Sequence, residues 1–418
     1  MWMAALLLVG AVGCEYDDGA LWEKVNDLEE QVNQNKETIA TLQTLVEALN
    51  QGKVIMNVEQ TEEGYKLTFS DGSTVVVKNG KDGVDGANGE PGKDGVNGEN
   101  GDSFFQSVVV TEDSVIITLS DGTTIELPLM QREIAIYATG SDGTQGVYWR
   151  NGEATVLKSP ISETAKWTRG KSIVVVDGDV YVAGYESRTA IVWKNGEPTA
   201  LTDNTVDVSV HDMAIVGEDI YVVGTYNYAP VYWKNGVKVE LGSMGEIHSV
   251  VAVGNDIYMA GNIDGMAAYW KNDEPIMLTD DPWSVADVNE LLVADGSIYA
   301  AGFYDSEAAM WKDGKMTLLT DSWDYAQCRC CCMAGGKFYA AGNDGYNPAY
   351  WVDGEMTRLA TCDSFGTILG ATEVGGSLYF CGSIDKQAVV WVNNEPTVLA
   401  EASTGPCAYA LYVVEELK

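Results

Sequence analysis

Residues 133–418 alternate short apolar runs with polar turns, and the pattern recurs along the chain. Within residues 172–202, β-branched runs are separated by Asp177-Gly178-Asp179, by a polar loop and by Asn195-Gly196. Asn-Gly tolerates positive φ at both positions and is typical of a two-residue hairpin. The spacing therefore predicts four short antiparallel strands. A helical solenoid would instead need an apolar period of about 3.6 residues.

Seven tryptophans mark the copies of this unit, at intervals of 37 to 44 residues. They are Trp149, Trp193, Trp233, Trp270, Trp311, Trp351 and Trp391. Each follows a Y-x-x-G-like stretch, and a period near 40 is typical of one supersecondary unit stacked on copies of itself. The units resemble β-propeller blades, without the WD dipeptide, kelch glycine pair or sialidase Asp-box. We therefore predict a mainly β chain: a seven-bladed β-propeller over 133–418, tryptophans between its blades, and an N-terminal coiled-coil stalk.

The two ends of the repeat region predict how the ring of blades closes. The first copy begins at Ile134 and lacks its own first strand, whereas the last copy is followed by an extra apolar stretch, 408–414. We expect this stretch to complete the first blade, so that no sheet edge is left open.

Residues 21–50 carry apolar side chains at alternating spacings of four and three, which predicts a coiled coil. These positions are Leu21, Val25, Leu28, Val32, Asn35, Ile39, Leu42, Val46 and Leu49. The β-branched a positions with leucine at d favour two strands. Asn35 at d resembles the core asparagines of trimeric adhesin stalks. Dimer and trimer both stay open, and we lean to a homotrimer.

Glycine stands at every third position from Gly80 to Gly101, inside a predicted linker of residues 79–102. That periodicity is the requirement of a collagen triple helix, although the tract has a single proline, Pro91. A triple helix and an extended acidic linker both stay open. Two similar segments, 53–78 and 104–129, flank the tract, and each places Asp-Gly between alternating strands, which predicts two small β units.

The N-terminus predicts export. Residues 1–13 are apolar and too short to span a bilayer, and they end before Cys14 in a segment that resembles the lipobox of bacterial lipoproteins. The acidic tether 14–20 resembles the surface-export signal of Bacteroidetes-type lipoproteins. Residues 14–128 together resemble an uncharacterised N-terminal module of such proteins. The resemblance implies an acylated Cys14 and an outer-membrane lipoprotein exposed on the cell surface.

The formal charge of −37, from 62 acidic and 25 basic residues, disfavours nucleic acid and anionic membrane surfaces as partners. We expect membrane contact only through the N-terminal lipid. The chain has no nucleophile elbow, phosphate-binding glycine loop or HExxH motif, so no catalytic residue and no cofactor are predicted. The acidity is compatible with Ca²⁺, which no motif supports.

Counting back ten residues from each repeat tyrosine places one residue per blade at the entrance of the inner strand. These residues are Lys171, His211, His248, Asn289, Arg329 and Leu369, with Tyr409 as the counterpart in the closing strand. They predict a locally basic ring around a pocket for an acidic or hydroxyl-rich ligand. Polar lining of a water-filled channel is the alternative. A metal site is the weaker interpretation, because two histidines without a clear carboxylate partner make a poor site.

Aromatic residues are predicted on the same face, in the loops that enter the inner strands. They are Trp167, Trp283, Trp323, Tyr325 and Phe365. Such side chains suit sugar rings and also protein partners. We predict an extracellular glycan as the ligand. The alternatives are an adhesin that binds a protein, and a lyase or hydrolase for acidic polysaccharide with His211 or His248 and Lys171 as acid and base.

Cysteines concentrate at the inner strand of the sixth predicted blade, as Cys328, Cys330, Cys331 and Cys332. Successive residues of a strand point to opposite faces, so Cys330 and Cys332 would share one face and Cys331 the other. This arrangement is neither a zinc knuckle nor a C-x-x-C redox motif. We expect small buried apolar residues here. A disulfide to Cys362, Cys381 or Cys407 is the alternative, since export is oxidising.

Overall fold

The computed structural model describes residues 18–62, 64–78, 104–130, 132–161, 168–320 and 325–417. The predicted signal segment 1–13, Cys14 and the Gly-x-y tract 79–102 lie outside these residues. The chain divides into two units, residues 1–133 with 417–418, and residues 134–416. Both are built from small antiparallel sheets, so the prediction of a mainly β chain is confirmed.

In its described residues, the first unit contains one helix and two three-stranded antiparallel sheets. Its elements in chain order are α1 (Asp18–Asn50), β1 (Ile55–Thr61), β2 (Gly64–Phe69), β3 (Thr74–Lys78), β4 (Phe105–Val110), β5 (Ser114–Leu119) and β6 (Thr124–Pro128). Asp71 and Asp121 accept backbone hydrogen bonds from Ser73 and Thr123 at the β2–β3 and β5–β6 turns. The repeated Asp-Gly sequence thus forms the same turn twice.

Helix α1 buries part of its apolar side chains and leaves others exposed. Leu45 and Ala48 are buried in one core with side chains of both small sheets, among them Ile55 and Ile117. The heptad residue Leu42 packs against the same core. Five other heptad positions are between 40% and 59% exposed: Leu28, Val32, Ile39, Val46 and Leu49. Within the described residues, no helix is long and apolar enough to cross a membrane.

The second unit consists of seven four-stranded antiparallel sheets, numbered here 1 to 7 along the chain. Sheets 1 to 3 comprise β7 (Arg132–Ser141), β8 (Gly146–Arg150), β9 (Glu153–Val156); β10 (Thr168–Val176), β11 (Asp179–Glu186), β12 (Thr189–Lys194), β13 (Glu197–Ala200); β14 (Val208–Val216), β15 (Asp219–Tyr226), β16 (Ala229–Lys234), β17 (Val237–Glu240).

The remaining sheets follow the same order of strands. Sheets 4 and 5 comprise β18 (Gly245–Val253), β19 (Asp256–Ile263), β20 (Met266–Lys271), β21 (Glu274–Met277); β22 (Ala286–Ala294), β23 (Ser297–Tyr304), β24 (Glu307–Lys312), β25 (Lys315–Leu318). Sheets 6 and 7 comprise β26 (Gln327–Ala334), β27 (Lys337–Asp344), β28 (Asn347–Val352), β29 (Glu355–Arg358); β30 (Gly366–Val374), β31 (Ser377–Ile384), β32 (Gln387–Val392), β33 (Glu395–Glu401). The last strand, β34 (Cys407–Leu417), pairs with β7 in the order β34-β7-β8-β9. The prediction that the C-terminal strand completes the first sheet is confirmed.

The repeat tryptophans join neighbouring sheets. Each lies on the third strand of its sheet, is at most 2% exposed, and packs in a cluster with residues of the preceding sheet. Trp311, for example, packs with Ala260 and Ala267 of sheet 4. Trp149 of sheet 1 packs with Cys381 and Ala388 of sheet 7. The clusters therefore link the seven sheets into a closed cycle.

The cysteines of β26 are buried free thiols. Cys331 packs against sheet 5, whereas Cys330 packs with Trp391 of sheet 7, as expected for adjacent residues of a strand. The interpretation as small buried apolar residues is confirmed. Among the cysteines that the structure describes, none forms a disulfide, so the alternative of a disulfide to Cys362, Cys381 or Cys407 is not found.

Candidate functional site

The first strand of each of sheets 2 to 7 carries one residue more than the strand paired with it. The register shifts between Gly170 and Ser172 in sheet 2, and at the equivalent place in the other five. The extra residues are Lys171, His211, His248, Asn289, Arg329 and Leu369. A β-bulge leaves its extra residue out of the ladder and re-aims its side chain. The residues predicted by counting are thus the bulged residues.

A glycine on the second strand makes each bulge possible. A Cβ on Gly184 would lie 1.9 Å from the carbonyl oxygen of Arg169, two residues before the bulge. The corresponding distance is 1.9–2.0 Å at every sheet: Gly140, Gly224, Gly261, Gly302, Gly342 and Gly382. In sheet 1 the carbonyl belongs to Cys407, which identifies Tyr409 as the counterpart of the bulged residues. The glycine of the Y-x-x-G stretch is therefore a steric requirement of the bulge.

The seven positions surround one cavity of about 430 Å³ between the first strands of the sheets. We call them the channel ring: Lys171, His211, His248, Asn289, Arg329, Leu369 and Tyr409. The structure thus brings together residues that are up to 238 positions apart in the sequence, 409 minus 171. Ligand binding by the channel ring stays a prediction.

Polar side chains just after the channel ring tie neighbouring sheets together. Asp212 accepts a hydrogen bond of 2.9 Å from the backbone N–H of Val250, and Glu290 accepts one of 2.7 Å from that of Cys331. Burial raises the pKa of Asp212, although its hydrogen bonds oppose the shift. Burial raises the pKa of Glu290 to about 8, so this carboxyl is mostly protonated at neutral pH. Both serve as structural acceptors of backbone N–H groups next to the bulges.

Sequence reasoning missed this inter-sheet layer. Its signal is a carboxylate directly after the ring residue, in His211-Asp212 and in Asn289-Glu290. An acidic residue in an otherwise apolar inner strand needs a hydrogen-bond donor, because a buried unpaired polar group is costly. The donor lies on the next sheet, and the sequence does not show which backbone group comes close.

In the channel ring, the amine of Lys171 lies against the face of an aromatic side chain. Its Nζ is 3.7 Å from the centre of the Tyr409 ring, a cation–π contact. Burial, together with the nearby Arg169 and Arg329, lowers the pKa of Lys171 to about 8, although Cys407 opposes the shift. The amine therefore titrates near neutral pH. Asn289 is engaged elsewhere, since its Nδ2 donates to the Cys328 carbonyl at 2.7 Å.

The two histidines lie edge to face, with ring centres 4.5 Å apart and ring planes at 71°. His211 Nε2 is 2.9 Å from the hydroxyl of Ser209. His248 Nε2 is 2.9 Å from Asp287 Oδ2. Both Nε2 atoms lie 3.6 Å from Glu246 Oε2. The structure thus places two carboxylates beside the histidine pair, which the sequence analysis did not foresee.

A second cavity of about 570 Å³ opens at sheet 6 and carries exposed aromatic rings. Tyr325 is 73% exposed, Tyr346 69% and Phe365 41%, and the last two rings meet edge to face. We call this cavity the aromatic cleft; its polar lining is Gln327, Arg329, Asn343, Asp344, Asn347 and Arg358. Arg329 lines both the cleft and the channel cavity, so the two are adjacent.

The predicted entry-loop aromatics therefore separate into groups. Tyr325 and Phe365 line the aromatic cleft. Trp283 is 93% exposed and lines neither cavity. Trp167 and Trp323 lie outside the described residues. Tyr346, in the loop between the second and third strands of sheet 6, completes the cleft.

The family that matches this chain concerns its first unit. Residues 16–92 match the family DUF4988, described as a domain of unknown function. No curated protein matches the chain.

Solved structures similar to the chain have low sequence identity. The computationally designed protein Ika8 is 14% identical, with 87% of this chain and 96% of that chain covered and a TM-score of 0.38. A chain of the nidogen/laminin complex is 12% identical, with 67% of this chain and 98% of that chain covered and a TM-score of 0.39. At these values neither structure assigns a function to this protein.

Proposed function

We propose that this protein is a surface-anchored lipoprotein in which the seven sheets form a β-propeller that binds an extracellular glycan. The propeller is supported by the cyclic packing of the sheets through Trp149 and its equivalents and by the closing strand β34. Radial repetition of four-stranded sheets around a central channel is the definition of that fold.

The aromatic cleft carries the glycan proposal. Sugar rings present C–H faces that stack on aromatic side chains, and hydroxyls that need hydrogen-bond partners. Tyr325, Tyr346 and Phe365 supply exposed faces around the cleft. Gln327 and Asn347 supply amide groups in the same cavity. A large exposed aromatic surface beside polar groups is typical of a binding site.

The charges around the cleft favour a sugar with acidic groups. Arg329 and Arg358 both line the cavity. Arg358 forms an ion pair with Asp344, which keeps one guanidinium face in place while other N–H groups stay available. The chain has a net charge of −37, so most of its surface repels an anionic ligand. Two arginines at one cleft make the repulsion weaker there than elsewhere.

Binding of a glycan array to the full chain tests this function. We expect retention of hydroxyl-rich or acidic glycans, and at least about tenfold weaker binding after Tyr346→Ala, because a stacked ring in an interface contributes roughly 1–3 kcal/mol. Tyr228→Ala is the matched control, since Tyr228 is a loop tyrosine of sheet 3 that is 71% exposed and lines neither cavity.

Three results would contradict the proposal. An array without any retained glycan would favour a protein ligand, and release of shortened products would make the protein an enzyme. Equal losses for Tyr346→Ala and Tyr228→Ala would place the glycan elsewhere. Thermal melting of both variants checks that each remains folded.

The N-terminal part of the proposal is an anchor followed by a stalk. Acylation of Cys14 would hold the chain at the outer membrane, and the exposed heptad face of α1 would pack against copies of itself as a coiled coil. Burial of Val32 and Ile39 between helices would remove apolar surface that one chain leaves in water.

A Cys14→Ser variant tests the anchor and the stalk together. We expect this variant to move from the membrane fraction to the soluble fraction, and the released chain to sediment as a trimer or dimer. Membrane retention would contradict the lipoprotein assignment. A monomer would contradict the coiled coil, and Val32→Glu with Ile39→Glu should yield that monomer.

A further inference from the structure

One carboxylate oxygen lies at equal distance from both histidines of the channel ring. Glu246 Oε2 is 3.6 Å from Nε2 of His211 and 3.6 Å from Nε2 of His248. All three donor atoms lie within 4.8 Å of one another. Glu246 belongs to β18 of sheet 4, as His248 does, whereas His211 belongs to β14 of sheet 3. Two neighbouring sheets therefore direct three metal-binding groups at one point.

The distances fit a shared ion better than direct hydrogen bonds. At 3.6 Å a nitrogen and an oxygen are too far apart for a hydrogen bond. Ligand atoms that are each about 2.0–2.2 Å from a tetrahedral ion lie about 3.3–3.5 Å from one another. Among the described residues, no hydrogen bond holds the Glu246 carboxylate elsewhere. The two distances of 3.6 Å from Glu246 Oε2 are thus close to the separation of two ligands on one ion.

The surrounding charges are balanced. Glu246 and Asp287 contribute carboxylates, while Lys171 and Arg329 contribute cations near the pair. Nε2 of His211 also lies 2.9 Å from the Ser209 hydroxyl, which can turn its proton away when this nitrogen binds an ion. An ion bound at Nε2 of His248 would take the place of the 2.9 Å contact between this atom and Asp287 Oδ2.

Asp287 supports the arrangement from the neighbouring sheet. Its Oδ2 contacts His248 and also accepts a hydrogen bond of 3.0 Å from Asn262 Nδ2. Its Oδ1 is buried without a hydrogen-bond partner in the described part of the chain. A carboxylate with one unused buried oxygen beside two imidazoles supplies the negative charge that a cation needs.

We propose that His211, Glu246 and His248 bind a divalent transition-metal ion in the channel ring, with Zn²⁺ the ion best matched to the donors. Two imidazoles and one carboxylate are a common ligand set of Zn²⁺, whereas Ca²⁺ takes oxygen ligands. Three protein ligands leave a fourth position, and the channel cavity gives that position to water or to an oxygen of a bound ligand. The site is independent of the aromatic cleft and of the glycan proposal.

Calorimetric titration of Zn²⁺ into the full chain, without a histidine tag and in excess Ca²⁺, tests the site. We expect one saturable site per chain. His211→Gln, His248→Gln and Glu246→Gln should each weaken binding by more than about tenfold, since even partners behind the ligands contribute that much. Glu274→Gln, an exposed acidic residue of β21 outside the site, should bind as the wild type does.

The histidines also give a spectroscopic readout that needs no variant. The chain has two histidines, so nitrogen-15 spectra of the imidazoles report on both without ambiguity. We expect both Nε2 signals to shift as Zn²⁺ saturates the site. Absence of a saturable site, unmoved imidazole signals, or undiminished binding by a folded His211→Gln/His248→Gln variant would each overturn the proposal. The last result would direct the search to the cysteines.

Discussion

The inter-sheet interfaces and the channel ring are built from the same repeat. The interfaces keep the same side chain from sheet to sheet, whereas the channel ring does not. Every interface uses the same indole on the third strand, buried against the preceding sheet. Every ring position carries a different kind of side chain except for the histidine pair, from Lys171 through Asn289 to Leu369. Positions that the fold needs are repeated, and positions that it leaves free carry the chemistry.

The bulge explains why the ring can vary. The backbone directs the bulged residue at the cavity, and its N–H and side chain are not part of the ladder. A lysine at 171 and a leucine at 369 therefore fit the same geometry. The conserved requirement within the repeat lies opposite, at the glycines of the second strands, where a Cβ would overlap a carbonyl oxygen.

The largest expected effect comes from a substitution at Gly382, one of the glycines opposite the bulges. A Cβ there would lie 2.0 Å from the carbonyl oxygen of Thr367, so Gly382→Ala must separate β30 from β31. We expect a loss of more than about 5 kcal/mol in the free energy of unfolding, at the exceptional end for single substitutions. The channel-ring residue of this sheet is Leu369, so the loss of stability does not involve a polar side chain of the channel ring. Urea unfolding measures the change.

Gly376→Ala is the matched control in the same sheet. Gly376 has φ of +80°, and a Cβ would meet nothing within 4 Å. We expect a cost of about 1–2 kcal/mol, because the left-handed conformation is the only penalty. Equal losses for Gly382→Ala and Gly376→Ala would show that the close approach at the bulge is relieved without cost.

A smaller effect on stability is expected at the part-buried carboxyl of Glu290. This residue follows the ring residue Asn289 and accepts a hydrogen bond from the next sheet. Its folded-state pKa of about 8 is raised above the usual 4.5, so the folded protein binds this proton more tightly than the unfolded chain does. The contribution to stability is complete below pH 4.5 and is lost as the pH rises through about 8. Glu290→Gln keeps an acceptor for the Cys331 N–H and removes the titration.

Relative to the wild type, Glu290→Gln should therefore gain stability as the pH rises. We expect a gain of about 2–3 kcal/mol between about pH 5 and about pH 8 in urea unfolding. Glu274→Gln, on an exposed strand, is the control without a trend. If the stability of Glu290→Gln varied with pH in parallel with that of the wild type, the carboxyl would ionise in the folded protein with its ordinary pKa.

Much of the second unit follows from local sequence patterns. The four strands per repeat, the seven sheets and the closing strand β34 were predictable, because the turns and apolar runs recur with a constant spacing. Counting from the repeat tyrosines also located the ring residues, since sheets 2 to 7 have the bulge at the same place in the first strand. The burial of Trp149 and its equivalents followed from their recurrence.

Contacts between sheets were decided by the tertiary structure alone. The period of a strand determines which side chains share a face, but not which residue of the next sheet lies opposite. Glu246 thus meets His211 from a neighbouring sheet, Asp212 receives the Val250 N–H, and Arg329 connects the channel to the aromatic cleft. These approaches depend on the distance and angle between sheets, which long-range packing sets and no local pattern records.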